Sequence, residues 1–474
     1  MRRTKIVCTM GPATQAPAMM DALLAAGMDV ARINMSHGTH AGHAKVIKDL
    51  RLACKRAHRD VAILLDLQGP KIRVGRMQGG QVELKNGASL ILTTKACEGT
   101  AYMVSTSYAH LPKDCKAGDP ILLDDGKLRL SVTAVKGHEV HTRVEVGGLL
   151  KNNKGMNLPG VALSTQSVTK KDLEDLVFGL EQDVDYVALS FVRHPDDVVR
   201  VKKFIAKRGK HTPVIAKIEK PEALEHLRAI TRVSDGIMVA RGDLGVEMDL
   251  DKVPLIQKEI IAMANANKAL VITATQMLES MTEAPSPTRA EASDVANAIL
   301  DGTDAVMLSA ETAAGKYPVE ACTIMARICT STEASSAYRL VADERLSLQP
   351  KGKRSVAEAL CYAARAAAEE IRVRAILSFT KRGKSARYLS KFRPDVPVYA
   401  FTPDPLAKRQ MALYWGVEPH SVGAATDPEK LIRLTTQRLK FEKKINKGDL
   451  VIVVAGSPMG ADASINMMKI HQVE

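Results

Sequence analysis

Val214-Ile215-Ala216-Lys217-Ile218-Glu219 and, one helix-length later, Gly236-Ile237-Met238-Val239-Ala240-Arg241-Gly242-Asp243 decide the fold. Each is a short Val/Ile-rich run without the alternation of a half-exposed strand, so it reads as a strand covered on both faces. Each also ends in charge. The same design recurs on either side, at Lys5–Gly11, Asp29–Gly38, Val61–Gly69 and Tyr186–Val192 before and at Ala269–Gln276 and Ala305–Glu311 after. Helical patterns such as Asp196–Arg208 and Leu255–Asn267 separate most of these runs. Strand–helix alternation of this kind, repeated eight times, is the signature of a (β/α)8 TIM barrel, whose strands all point their C-terminal ends at one mouth. Those ends carry Arg32, Asn34, Ser36, Asp66, Lys217, Glu219, Asp243, Thr275, Gln276, Ser309 and Glu311. Any one of them reads equally well as a helix cap or a turn residue. Charge recurring at the same end of strand after strand does not serve stability, and it marks the mouth as a site.

One gap is too long for a loop. Between Gly69 and Tyr186 the chain breaks into the short runs Gln81–Leu84, Ser89–Thr93, Ile121–Leu123 and Glu139–Val146, punctuated by Gly79-Gly80, Asn86-Gly87 and Asp125-Gly126. A small all-β domain at 71–154, inserted after the third barrel strand, would sit over the mouth as a lid. The barrel then takes residues 1–70 and 155–340. The polar segment Asp343–Arg354 reads as a linker. A C-terminal open-sheet α/β domain follows at 350–474. It has helix Val356–Ile371, strands Ala375–Thr380, Val398–Thr402, Val417–Val422 and Leu450–Ala455, and helices Leu406–Trp415 and Asp427–Lys443.

Composition agrees with a multidomain globular enzyme. A chain of 474 residues is expected to form about three domains. No run of roughly 18 uncharged apolar residues occurs, so nothing should span a membrane. The basic Met1–Lys5 leads into Ile6–Met10, which is too short for a signal-peptide core, and a cytoplasmic location is expected. The seven cysteines are odd in number and form no C-x-x-C pair, as expected of reduced structural thiols. The formal net charge is +14, but aromatics make up only 4%. Stacking platforms for nucleic acid are therefore scarce, and the charge reads as a field for small anions.

Glu219 and Asp243 end successive strands and should lie side by side. An oxygen pair without His or Cys suits Mg²⁺ or Mn²⁺, which fill their other positions with water and substrate oxygens. Lys217, two residues before Glu219 on the same strand face, reads either as a structural ion-pair partner or as a cation aimed at charge developing on a transferring group. Gly242 lets backbone approach closely, and the turn into a helix after it offers amides to a carboxylate. Thr275 and Gln276 add hydroxyl and amide donors, and Arg32 adds a fork suited to phosphate. The residues alone lead to metal-assisted chemistry on a small phosphorylated acid.

The strings Arg32–Gly38 (RINMSHG), Asn153–Gly160 (NKGMNLPG), Met238–Glu247 (MVARGDLGVE), Thr273–Met281 (TATQMLESM), Pro287–Glu291 (PTRAE) and Asp294–Leu308 (DVANAILDGTDAVML) resemble the pyruvate kinase family. They run in the family's order, with the insertion where the family has its lid. The resemblance implies phosphoryl transfer from phosphoenolpyruvate to ADP, giving pyruvate and ATP in the last step of glycolysis. It also implies a Mg²⁺ cofactor, a homotetramer and allosteric control through the C-terminal domain. Carried over, Lys217 and Arg32 meet the phosphoryl group, Glu219 and Asp243 hold the metal, and Gly242, Asp243 and Thr275 bind the enolpyruvate. Asn34, Ser36, His37, Arg73 and Lys154 fall on the nucleotide side. Thr275 and Ser309 lead, through water, to the enolate carbon. Asn34, Ser36, Asp66 and the Leu67 carbonyl occupy the family's K⁺ positions.

Two departures bear on that inheritance. Potassium-dependent members carry a glutamate in Gly-Pro-Glu-Ile-Arg, where this chain has Gly69-Pro70-Lys71-Ile72-Arg73. A tethered ammonium supplies the missing positive charge, so Lys71 is expected to pair with Asp66 and make K⁺ dispensable; the other reading is that Lys71 points to solvent and the potassium site survives through Asn34, Ser36 and Asp66. Thr380-Lys381-Arg382-Gly383-Lys384-Ser385, opening a helix at Ala386–Phe392, has the form of the family's effector-phosphate loop. The tail after Gly456 departs from the loop that grips a second phosphate in members regulated by fructose 1,6-bisphosphate, so a sugar monophosphate is the expected effector. Two other readings stand beside this one: a barrel lyase of the aldolase type acting on pyruvate or phosphoenolpyruvate, and a non-catalytic basic protein binding nucleic acid or sugar phosphate. A Walker P-loop is a near miss, because Ser378 stands where its first glycine belongs.

Overall fold

The computed structural model describes residues 2–161, 163–347, 354–423, 427–456 and 464–474. Strands Lys5–Thr9, Val30–Asn34, Ala62–Asp66, Tyr186–Leu189, Val214–Ile218, Gly236–Ala240, Leu270–Ala274 and Ala305–Leu308 close a parallel barrel in chain order, the last pairing with the first. Side chains such as Val7, Leu64, Tyr186, Met238 and Met307 fill its interior, while Ile6, Ile33, Ile63, Val187 and Val271 pack outward against the helices. This double burial is why the strands read as continuous apolar runs. Three of the longer surrounding helices start on threonine caps, with Thr39, Thr169 and Thr288 each accepting a first-turn N–H.

The base of the barrel carries a pattern that does not stand out in the sequence. An aspartate (Asp29, Asp185, Asp235 or Asp304) immediately precedes every second strand. Its carboxylate accepts the N–H of one residue on the preceding strand, and its own N–H donates to that residue's carbonyl. The partners are Ile6 (2.9 and 3.0 Å), Ile63 (2.7 and 2.9 Å), Val214 (2.9 and 2.9 Å) and Val271 (2.7 and 3.0 Å). Buried amides at a strand's start need such a partner. Protein cations offset the carboxylates: Arg2 and Arg59 at Asp29, Arg51 and Arg409 at Asp185, Lys202 at Asp235, Lys391 and Arg393 at Asp304. Arg409, Lys391 and Arg393 come from the C-terminal domain, so the base is also its dock. Lys5 Nζ donating to the Val417 carbonyl (2.8 Å) and Tyr186 Oη to the Gln410 carbonyl (2.7 Å) reinforce that dock.

The inserted domain is built of β-strands with one single-turn helix, Leu111–Asp114, and a 3-10 turn at Gln78–Gly80. Its larger sheet runs in the order Met156–Asn157, Pro120–Leu123, Leu128–Lys136, Glu139–Val146, Ser89–Thr93 and Met103–Ser105, and Gly148–Lys151 pairs separately with Gln81–Leu84. The sheet runs past residue 154, because Met156 pairs with Leu123 and Leu158 joins the lid core. Arg193, donating to the carbonyls of Leu163 and Thr165, ties the returning segment to the barrel.

The C-terminal sheet has the order Val417–Ser421, Val398–Thr402, Ala375–Phe379, Leu450–Ala455 and Met467–Gln472, the last strand antiparallel. That edge strand is an addition to the expected four. The expected linker is partly helical: helix Ser336–Ser347 includes Asp343, which faces Arg365, and its polarity is that of an exposed helix. Residues 348–353 of that segment lie outside the described residues. The helix expected at Leu406–Trp415 is Pro405–Gln410 followed by a 3-10 turn, Met411–Leu413. All seven cysteines are free thiols, and all except Cys97 are buried. Among the described residues no helix is long and apolar enough to cross a membrane.

Candidate active site

Lys217 stands at the centre of the barrel mouth. Its ammonium lies 2.7 Å from Glu219 Oε1 and 3.3 Å from Asp66 Oδ1, and it donates to Ser190 Oγ at 2.7 Å. Burial works against the charge, but Asp66, Glu219 and Asp243 together outweigh it and hold the ammonium well above the usual lysine range. Burial would raise Asp66 as well; Lys217 and Arg32 keep it ionised below the usual carboxylate range. Burial, with the nearby Asp243 carboxylate, pushes Glu219 up, although Lys217 and the Phe191 N–H (2.8 Å) bind it. The field of Asp243 on both Lys217 and Glu219 fits the expectation that the two carboxylates lie together.

Arg32 is aimed by its neighbours: Nε contacts Asp66 Oδ2 at 2.6 Å and Nη1 donates to Thr9 Oγ1 at 3.1 Å. Thr275 and Gln276 follow their strand in left-handed backbone, with φ of 67° and 53°. For a β-branched threonine this is strained geometry. Thr275 Oγ1 accepts the Gly242 N–H at 2.7 Å. A Cβ at Gly242 would come within 3.3 Å of that oxygen, so this approach favours glycine. Ser309 Oγ is buried without a hydrogen-bond partner among the described residues. The Glu219 and Asp243 carboxylates offer oxygen donors without His or Cys, a set that fits a hard divalent ion such as Mg²⁺ or Mn²⁺.

His37, Arg73 and Lys154, expected on the nucleotide side, lie at the rim. Burial and then the fields of Lys71, Arg73 and Arg32 lower the pKa of His37, which brings these cations to one edge. Arg73 Nη1 donates to the Asn153 carbonyl at 2.9 Å, and Lys154 pairs with Asp124 at 2.7 Å, both at the root of the lid. Asn34 Oδ1 accepts the Ser36 N–H at 3.1 Å, and the Leu67 carbonyl accepts Ser190 Oγ–H at 2.7 Å.

One expectation is corrected. Asp66 does not pair with Lys71; Arg32 and Lys217 hold it. Gly69, at φ 70°, turns the chain out of the barrel, and Lys71 is exposed where the lid begins. Ser190, Phe191 and Arg241 are additions to the expected set. Ser190 relays Lys217 to the Leu67 carbonyl, and it follows the strand Tyr186–Leu189, one of two strand ends to which no chemistry was assigned. In the C-terminal domain Gly383, at φ 78°, caps a helix spanning Lys384–Lys391, so Lys384 and Ser385 sit in its first turn. Of the tail after Gly456, residues 457–463 lie outside the described residues, and Met467–Gln472 is the edge strand.

A lidded (β/α)8 barrel with cations and carboxylates converging on its mouth defines an enzyme for small anionic substrates. Residues 1–322 match the family model described as pyruvate kinase, barrel domain, and residues 358–471 match that described as pyruvate kinase, alpha/beta domain. The pyruvate kinase of Mycobacterium tuberculosis is 46% identical over 472 residues, covering 100% of this chain and 98% of the relative. Pyruvate kinase 2 of Synechocystis sp. is 47% identical over 477 residues, covering 100% of this chain and 80% of the relative. The crystal structure of a pyruvate kinase from Cryptosporidium parvum matches with a TM-score of 0.93 at 36% identity, over 100% of this chain and 96% of that one. The chain belongs to the pyruvate kinase family, and it is a phosphotransferase.

Proposed function

We propose that the protein transfers the phosphoryl group of phosphoenolpyruvate to ADP and protonates the resulting enolate to pyruvate. The observation that carries this reading is the buried Lys217 ammonium, held between Glu219 and Asp66 at the point where strand ends converge. When bound between Glu219 and Asp243, a divalent ion would draw off charge from the phosphoryl oxygens. Lys217 and Arg32 bear on the same oxygens as the bond to the enolate oxygen breaks and that to ADP forms. The backbone around Gly242 and the Thr275 hydroxyl orient the enolpyruvate carboxylate. Thr275 and Ser309 direct a proton, through water, to the enolate carbon. Asn34, Ser36, His37, Arg73 and Lys154 receive the nucleotide as the lid closes. The test is formation of pyruvate from phosphoenolpyruvate with Mg²⁺, with and without ADP. ADP-dependent pyruvate supports the reading; pyruvate formed without nucleotide favours a lyase.

The same reading extends to regulation. Gly383 and the first turn of Lys384–Lys391 present amides and a hydroxyl to one phosphate. With the departure of the tail sequence after Gly456 from the loop that grips a second phosphate, this is the ground for proposing activation by a sugar monophosphate rather than by fructose 1,6-bisphosphate. Titrating both against phosphoenolpyruvate saturation tests it: equal activation by the bisphosphate overturns it, and Ser385→Asp should abolish the response. Potassium is proposed to be dispensable, because Arg32 and Lys217 already neutralise Asp66 and Lys71 adds a fixed cation at the rim. Homotetramer formation and a cytoplasmic location complete the proposal.

A further inference from the structure

Arg241 lies two residues before Asp243 and is 9% exposed. Its guanidinium is taken up by protein groups on two sides. Nη2 donates to the Thr275 carbonyl at 2.7 Å and to the Gln276 carbonyl at 3.1 Å, and Nε reaches the Thr275 carbonyl at 3.3 Å. On its other side Nη1 donates to Asp294 at 2.6 Å and to Gln257 Oε1 at 3.3 Å. The two carbonyls it spans belong to the residues with positive φ. Strained backbone of this kind persists only where the surroundings over-determine it. The fork supplies that determination from below, while the Gly242 N–H takes Thr275 Oγ1 from above at 2.7 Å. Both grips come from adjacent residues of one chain segment, so the Thr275 hydroxyl is fixed relative to Asp243.

We infer that Arg241 is a positioning residue for the reaction, pinning the strained Thr275–Gln276 turn so that the Thr275 hydroxyl faces the enolpyruvate. The inference rests on the assignment of Thr275 to the substrate side. A lysine cannot serve, because a single ammonium cannot reach the Thr275 and Gln276 carbonyls and also Asp294 on the opposite side, as the guanidinium fork does.

The test compares Arg241→Ala, Thr275→Ala and the double variant. Arg241→Ala should lower kcat about 10²-fold, the scale of an ångström-level misplacement, with KM for phosphoenolpyruvate changed far less. Millimolar guanidinium chloride should restore part of the loss. The double variant should be no slower than Thr275→Ala within about threefold, since residues acting as a unit are non-additive. Losses that multiply, or a change in KM alone, overturn the inference. A crystal structure of Arg241→Lys gives a readout independent of activity: φ of Thr275 should leave the positive region, and an unchanged turn overturns the inference. If Arg241→Ala does not fold, Arg241→Lys, which keeps a charge opposite Asp294, carries the kinetic comparison as well. Absence of pyruvate formation by the unmutated protein would count against the proposed reaction instead, and the turn geometry would still decide the role of Arg241.

Discussion

Lys217→Met would remove one ammonium from between two buried carboxylates and change almost nothing in shape. If Lys217 were only an ion-pair partner, the loss would fall on stability. If it meets charge that develops as the phosphoryl group leaves, kcat should fall at least about 10³-fold with little change in KM. Steady-state kinetics separate the two, and an unchanged kcat with raised KM would sink the catalytic assignment. Lys71 sits outside this cluster. Its contribution is a fixed charge at the rim, felt by His37 together with Arg73 and Arg32. The unmutated protein should therefore be nearly fully active with tetramethylammonium as the only monovalent cation, and Lys71→Glu should become potassium-dependent. Stimulation of the unmutated protein by K⁺ of about tenfold, roughly 1.4 kcal/mol in the barrier, would show that Lys71 does not replace the ion. The candidate site was legible in the sequence wherever a charged group ended an apolar run, as at Lys217, Glu219 and Asp243. Ser190 and Arg241 were not legible. A serine after a strand and an arginine beside an aspartate have no local signature, and their roles arise from neighbours brought in by other strands.

Single elements differ in how plainly their sequence announces them. The barrel strands are buried on both faces, so their composition alone separates them from the helices. Leu128–Lys136 in the lid is half-exposed, alternates between the two faces and bends at a bulge, which blurs its period. Met467–Gln472 is an edge strand with no fully buried residue, and edges carry little apolar signal. The opposite edge strand, Val417–Ser421, holds a testable charge cluster. Glu418 faces Lys444 and lies 3.2 Å from His420. Burial would raise its carboxyl, but the neighbouring His420 and Lys444 hold it down at about 2, against an ordinary 4.5. A depressed folded-state value contributes stability above about pH 4.5, and that contribution is lost as the pH falls toward 2. Glu418→Gln should therefore cost roughly 1–3 kcal/mol at neutral pH and progressively less on acidification. Thermal unfolding from pH 7 down to pH 3 checks this, and a penalty independent of pH would contradict it.

For the whole molecule the base of the barrel matters as much as the mouth. Asp304 binds Lys391 and Arg393 with side chains almost wholly out of water, and burial pushes the Lys391 ammonium down to about 8 despite that partner. Asp304→Ala would strand both cations and free the Val271 N–H. A loss of about 3–5 kcal/mol is expected, the usual cost of breaking a buried pair from one side. Unfolding should then separate into two transitions, barrel and C-terminal domain; a single transition at the native midpoint would argue against the dock. The reciprocal aspartate pairs also bear on the order of assembly. Three of them join residues 21 to 33 positions apart, whereas Asp185 and Ile63 are separated by 122. The inserted lid is the reason. Closing the longer loop costs about 1.5 kcal/mol more in chain entropy than closing the shortest. The quarter of the barrel beneath the lid should accordingly be the last to gain hydrogen-exchange protection during refolding, with the Ile63 amide trailing those of Ile6, Val214 and Val271.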